Sequence, residues 1–282
     1  MQKRNVLNSP RLLELKKNRR RVFLNKILLS LFALLVVSIG FIYISRISSL
    51  NISSVEIIGN KVIDTETIKE TVEKEITGNY LWFFPKTNIL FYPKNKIKRE
   101  LNNQFKRLKE INLSIKDRRA LEVSVTERVA LYTWCGENLS EIEIKSEDYL
   151  CYFMDDSGYV FDEAPYFSGD VYFRFFGSLA EYSPDIFEKV ITFKDFLLKM
   201  AIKPTSVYLK KDGDIEIYLS SNILPPNAPK IIFKVDSNFQ KIAENLEAAL
   251  NTEPLQSNLK NKYSSLEYID LRFGNKVYSK MR

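Results

Sequence analysis

Histidine is absent from all 282 residues. Its absence excludes a Ser-His-Asp triad, a Cys-His pair, a histidine-ligated zinc and a histidine general base. Glycine is scarce too, at nine residues, and none of them forms a G-x-x-x-x-G-K-[ST], G-x-G-x-x-G or G-x-S-x-G pattern. Phosphate cradles and nucleophile elbows are therefore missing. Only two cysteines occur, Cys135 and Cys151. In an oxidising compartment they are free to form a disulfide; the alternative is two unpaired buried thiols.

Carboxylate pairs, Asp155/Asp156 and Glu141/Glu143, are what remains for acid–base work. In a chain with 35 acids such pairs arise by chance, and neither is framed by apolar residues that would raise a pKa. Asp155 and Asp156 ahead of Gly158 suggest a calcium loop, but the alternating oxygen ligands and late glutamate of an EF-hand are lacking. A hairpin turn fits better. The expectation is a protein with no catalytic residue, no metal, no cofactor and no small-molecule substrate.

Acidic charge is nearly missing from residues 1–26, which hold nine basic side chains and only Glu14 against them, net +8. The whole chain carries +7, so the other 256 residues are close to neutral and the basicity is a tail, not a nucleic-acid-binding face. Residues 27–45, ILLSLFALLVVSIGFIYIS, contain no charge at all. At about 1.5 Å per residue they span roughly 28 Å, close to the ~30 Å hydrocarbon core of a bilayer. The 26-residue leader is long for a cleaved signal, and no A-x-A site follows the run, so the segment reads as an uncleaved signal-anchor. The Lys/Arg excess before the span predicts a cytoplasmic N-terminus and an extracytoplasmic bulk.

Beyond the span, SSVEIIGN predicts a strand over 53–58 and a Gly59-Asn60 turn. Asp64 then caps a helix over about 65–77, with Ile68, Val72 and Ile76 on one face. Residues 78–93, aromatic and punctuated by proline, read as a loop with hydrophobic anchors, and a second helix follows over 94–106 with Ile97, Leu101 and Phe105. Two alternating strands come next, with Ile111, Leu113 and Ile115 and then Leu121, Val123 and Val125 facing one way. The order strand, helix, helix, strand, strand suits two helices covering one face of a three-stranded sheet.

From residue 129 the pattern changes to many short strands. VALYTWC and YLCYFMD are expected to pair across a polar loop, 136–148, which brings Cys135 and Cys151 opposite each other. Turns are expected at 155–158 and Asp212-Gly213, a strand at 230–234, and two helices, 184–200 behind Ser183 and Pro184, and 237–251. The chain closes on two strands about Gly274-Asn275. Its last strand, with Lys276, Val277, Tyr278, Ser279 and Lys280, is expected at a sheet edge, offering unpaired N–H and C=O groups. The fold class is thus α+β, a single transmembrane helix followed by two extracytoplasmic domains, 50–128 and 129–282.

Val55-x-Ile57-x-Gly59-Asn60, NYLWF at 79–83, LEVSVTERVALYTW at 121–134, KIIFK at 230–234 and IDLR at 269–272 together resemble the bacterial cell-division family FtsQ/DivIB. The order of elements over 50–128 resembles a POTRA domain. Arg119-Ala120 and Val129 stand where that family often has prolines, and the aromatic loop at 80–93 is longer than the family pattern. The resemblance implies a non-enzymatic divisome scaffold at the septum, whose C-terminal β domain binds coiled-coil division proteins of FtsB/DivIC type that come with FtsL. A membrane-anchored cell-wall hydrolase and a POTRA-containing outer-membrane assembly or secretion protein are the alternatives.

Overall fold

The uncharged run lies within α1 (Pro10–Ser45), a single helix that extends back through much of the basic tail. It is long and apolar enough to cross a membrane. The structure, a computed structural model, describes residues 10–139, 150–167, 169–253, 255–260 and 265–282. The backbone divides into two compact units, one ending at Glu127 and the other beginning at Arg128.

After α1 the first unit contains β1 (Ser54–Ile58), α2 (Thr65–Ile76), a short hairpin of β2 (Asn79–Tyr80) and β3 (Phe84–Pro85), α3 (Lys94–Gln104), β4 (Leu108–Lys116) and β5 (Ala120–Glu127). The main sheet has the order β1-β5-β4, with β1 parallel to β5 and β4 antiparallel to it. A parallel pair needs a crossover connection, and α2 and α3 lie in it. Asp64 starts α2 as expected, its carboxylate accepting the Thr67 N–H at 3.0 Å. Ile68, Val72, Ile97 and Leu101 from the helices meet Val55, Ile111, Leu113, Leu121, Val123 and Val125 from the sheet. Every fully buried member of this core is aliphatic. Gly59 is required where it stands: φ is +91°, and a Cβ would come 2.2 Å from the Val125 carbonyl oxygen.

The second unit is built on a nine-stranded sheet. Its strands are β6 (Tyr132–Trp134), β7 (Cys151–Met154), β8 (Val160–Ala164), β9 (Phe173–Phe176), β10 (Pro204–Leu209), β11 (Asp214–Leu219), β12 (Lys230–Lys234), β13 (Leu266–Phe273) and β14 (Lys276–Met281). They lie in the order β14-β13-β12-β11-β10-β9-β6-β7-β8. Helices α4 (Pro184–Lys199), α5 (Phe239–Leu250) and α6 (Leu255–Lys260) supply side chains to the main core. Ser183 caps α4 and Asn238 caps α5, each through a backbone N–H three residues on. This core adds a cluster of aromatic rings to its aliphatic side chains, where the first buries none. Phe175 stacks on Phe187 at 5.2 Å, and Phe233 meets Phe193 at 5.0 Å and Phe239 at 5.1 Å.

Several expectations need correction. The second unit has a third helix, α6, which its six residues left unreadable as a periodic pattern. Strands β9 and β10 were not singled out, because a run buried on both faces does not alternate; β10 is buried at five of its six positions. The strand expected from VALYTWC shrinks to Tyr132–Trp134, because only these residues find a neighbour on each side, β7 and β9. The aromatic stretch 78–93 anchors the core only through Ile89 and Tyr92, while Leu81 and Trp82 are 80% and 88% exposed. Most of the acidic stretch 136–148, including Glu141 and Glu143, lies outside the described residues.

Candidate partner-binding edge

Strand β14 ends the large sheet. It pairs with β13 in antiparallel register (Tyr268 opposite Lys280, Ile269 opposite Ser279, Asp270 opposite Tyr278) and with no other strand among the described residues. Half of its backbone donors and acceptors therefore point away from β13. The five residues expected on this edge are all present on β14, but they divide by face. Val277, with Met281, packs toward the main core; Lys276, Tyr278, Ser279 and Lys280 are exposed. Val277 is thus a structural member of the edge and offers no side chain to a ligand.

Two aromatic rings stand at this edge. Phe273 is 55% and Tyr278 49% exposed, and their rings meet edge-to-face at 5.3 Å. The turn between them is fastened to α5 by Asn245 Nδ2, which donates to the Gly274 carbonyl at 2.9 Å. The two lysines also differ. Lys280 Nζ is paired with Glu267 on β13 at 2.8 Å, whereas Lys276 makes no ion pair among the described residues. Among the described residues Lys276 is thus the β14 lysine without an ion pair.

Behind the edge, on the face away from the main core, buried carboxylates meet partly exposed Lys and Arg side chains. Arg272 on β13 donates to Asp270 at 2.6 and 2.9 Å and to Asp214 on β11 at 2.7 Å. Lys234 on β12 also pairs with Asp214. Glu216 accepts from Lys230 at 2.9 Å, from Lys210 at 3.4 Å and from the Tyr218 hydroxyl. Burial pushes the Asp214 and Glu216 carboxyls upward, but hydrogen bonds and charge, from Lys234 and Arg272 at Asp214 and from Tyr218 and Lys230 at Glu216, outweigh it and hold both below the ordinary carboxylate range. These bonds tie β11, β12 and β13 together, so β14 hangs on a stiff support.

Cys135 and Cys151 are joined in a disulfide at the mouth of the β6–β7 pair. Asp155, expected to lack a special environment, is in fact only 1% exposed. The desolvation of burial is opposed by Ser157, Arg128 and Tyr159, and the carboxyl stays below its ordinary value. Its Oδ1 accepts from Ser157 and the Tyr159 N–H, and its Oδ2 from Arg128, whose guanidinium lies 3.9 Å from the Tyr159 ring centroid. Asp155 is a structural counter-ion held ionised, the opposite of a general acid. Among the described residues no group of three or more Cys, Asp and Glu side chains is placed to hold a metal. A groove of about 520 Å³ between α4 and α5 is lined by Phe193, Phe196 and Phe239, with the ion pair of Asp185 and Lys189 at its rim.

Sequence reasoning missed the charge lattice. Its signal is visible in hindsight in DIEIYL and YIDLR, where acids alternate with apolar residues on strands too hydrophobic to be solvent-facing. No protein-family model matches the chain, and no curated protein matches it.

Proposed function

We propose that the chain is a non-enzymatic, single-pass membrane scaffold of bacterial cell division, of FtsQ/DivIB type. In this reading α1 crosses the membrane with its basic end in the cytoplasm, the first extracytoplasmic unit is a POTRA domain that serves recruitment, and the second unit captures a partner strand. The observation that carries the reading is the free outer side of β14, flanked by an exposed aromatic pair and one unpaired lysine on a rigid sheet. The β1-β5-β4 sheet with two helices in its crossover supports the POTRA assignment. The partner is an extended segment of a septal coiled-coil protein of FtsB/DivIC type, held together with an FtsL-type protein.

β-Strand addition suits such a partner. Main-chain hydrogen bonds give affinity whatever the sequence, and Phe273, Tyr278 and Lys276 select apolar and acidic side chains. Confinement of all members to one membrane raises their effective concentration, so individually weak contacts suffice. The test is a fluorescent fusion followed through division, together with capture of the coiled-coil protein by the purified full-length chain. The reading predicts signal at midcell and capture that falls at least tenfold with Lys276→Glu. Uniform membrane signal in dividing cells would remove it.

A further inference from the structure

The aromatic hairpin of the first unit plays no part in the function above. Its tip and return loop expose Leu81, Trp82, Phe83, Leu90 and Phe91, at 80%, 88%, 52%, 72% and 53% respectively. Leu81 and Trp82 both adopt left-handed backbone, with φ of 46° and 70°, a conformation rare for such residues. Apolar side chains in such numbers are not left in water without a use.

Their position indicates the use. Asn88, itself 1% exposed, donates its Nδ2 to the carbonyl of Ser45, the last residue of α1, at 3.0 Å. Asn51 Nδ2 donates to the same carbonyl at 3.0 Å, and Thr87 Oγ1 donates to Asn51 Oδ1 at 2.8 Å. Arg46 Nε reaches the Phe83 carbonyl at 3.4 Å. These bonds fix the hairpin beside the end of α1. From Lys26 to Arg46 the helix rises about 30 Å, the thickness of the hydrocarbon layer, so its end lies at the membrane surface. Tyr43, 77% exposed, sits at the same level, where aromatic side chains favour the interface. Charge agrees with this placement. Residues 78–93, the hairpin and its return loop, contain Lys86 and no acidic residue, and Arg46 adjoins them.

We propose that the hairpin is a second membrane contact, with Leu81, Trp82, Phe83, Leu90 and Phe91 seated in the headgroup–acyl boundary of the leaflet from which α1 emerges. The occupant of this apolar surface is the phospholipid bilayer, with Arg46 and Lys86 facing anionic headgroups. The contact holds the first unit against the membrane and restricts its swing about the end of α1. It rests on α1 spanning the bilayer.

The chain has two tryptophans, so the difference between wild type and Trp82→Phe isolates Trp82 from Trp134. The full chain is reconstituted into bilayers of phosphatidylcholine and phosphatidylglycerol in equal parts, with bromine carried near the headgroup end of the acyl chain. The expected result is a blue-shifted Trp82 component that loses most of its emission to the bromolipid and resists iodide in the water. The Leu81→Asp/Leu90→Asp pair, exposed and neutral to folding, is expected to lower the bromolipid quenching several-fold. A Trp82 component that iodide quenches and bromolipid does not, in protein that co-floats with lipid, overturns the proposal. Resistance to both quenchers also overturns it, because the surface is then covered by protein. Failure of the chain to co-float at all is a separate outcome and overturns the spanning of α1 instead.

Discussion

The two units solve the same problem with different materials. In the first, a three-stranded sheet and two helices bury an aliphatic cluster, with Thr71, Glu75 and Asn88 the buried polar side chains beside it. In the second, the sheet is three times as wide, aromatic rings join the aliphatic core, and buried carboxylates stand in its middle strands, matched to Lys and Arg. A narrow sheet can be stable on hydrophobic burial alone. A sheet that presents a rigid open edge must also keep its neighbouring strands from slipping, and the cross-strand ion pairs of β11, β12 and β13 resist that. Adjacent residues state the contrast compactly. Glu127 closes the first unit, accepting the N–H groups of Lys61, Val62 and Ile63 at the turn after β1. Arg128 opens the second, half-buried, with its guanidinium on the buried carboxylate of Asp155.

Removing a partner from a buried ion pair should have the largest effect. Arg128→Ala leaves Asp155 ionised and buried, at an expected cost of about 3–5 kcal/mol, read as loss of hydrogen-exchange protection in β6–β8. The disulfide comes next. Cys135→Ser with Cys151→Ser frees a loop of 16-residue separation, for which chain entropy predicts about 3 kcal/mol, measured by urea denaturation with and without reductant. Glu127→Gln should cost only about 1–2 kcal/mol, confined to the first unit, because the three amides keep a weaker, neutral acceptor. Lys280→Gln is the smallest change. Its pair with Glu267 is exposed and screened by water, so no measurable shift of the urea midpoint is expected. If Arg128→Ala costs no more than Glu127→Gln, the contrast between the units fails.

Acid should loosen the second unit. Asp155, Asp214 and Glu216 have folded values below the unfolded ones, so they contribute stability above the ordinary carboxylate pKa of about 4, and that contribution is lost as pH falls through their depressed values. Hydrogen exchange across that range should show β11–β13 opening below about pH 4 while staying protected at neutral pH. Full protection of these strands at the lowest pH would assign the lattice no stabilising role.

Legibility followed the same division. The first unit could be read almost residue by residue, because its strands are buried on one face and alternate. Ile68, Val72, Ile97 and Leu101 sit where their spacing put them. In the second unit the strands with caps or glycine turns beside them were readable, and so was the terminal hairpin. Strands buried on both faces were harder: β10 is buried at five of its six positions, with Thr205 and Ser206 among them, so polarity no longer marks the surface. The position of β14 was legible, but the division of its residues by face and the pairing of Lys280 were not, since both depend on what β13 brings opposite. Pairing of the cysteines was open because spacing alone cannot settle it. Ile89 and Tyr92 anchor the 78–93 loop as read, but the exposure of its other apolar side chains was not legible, since a sequence does not say which of them pack inward.

The central claim, that β14 receives a partner strand, is most directly tested by a photocrosslinking amino acid placed in living, dividing cells at Tyr278 and, as an exposed control, at Tyr166. The account predicts a single strong product at Tyr278 containing a small coiled-coil membrane protein, and none at Tyr166. Equal products at both positions, or none at Tyr278 in cells that divide normally, would contradict it.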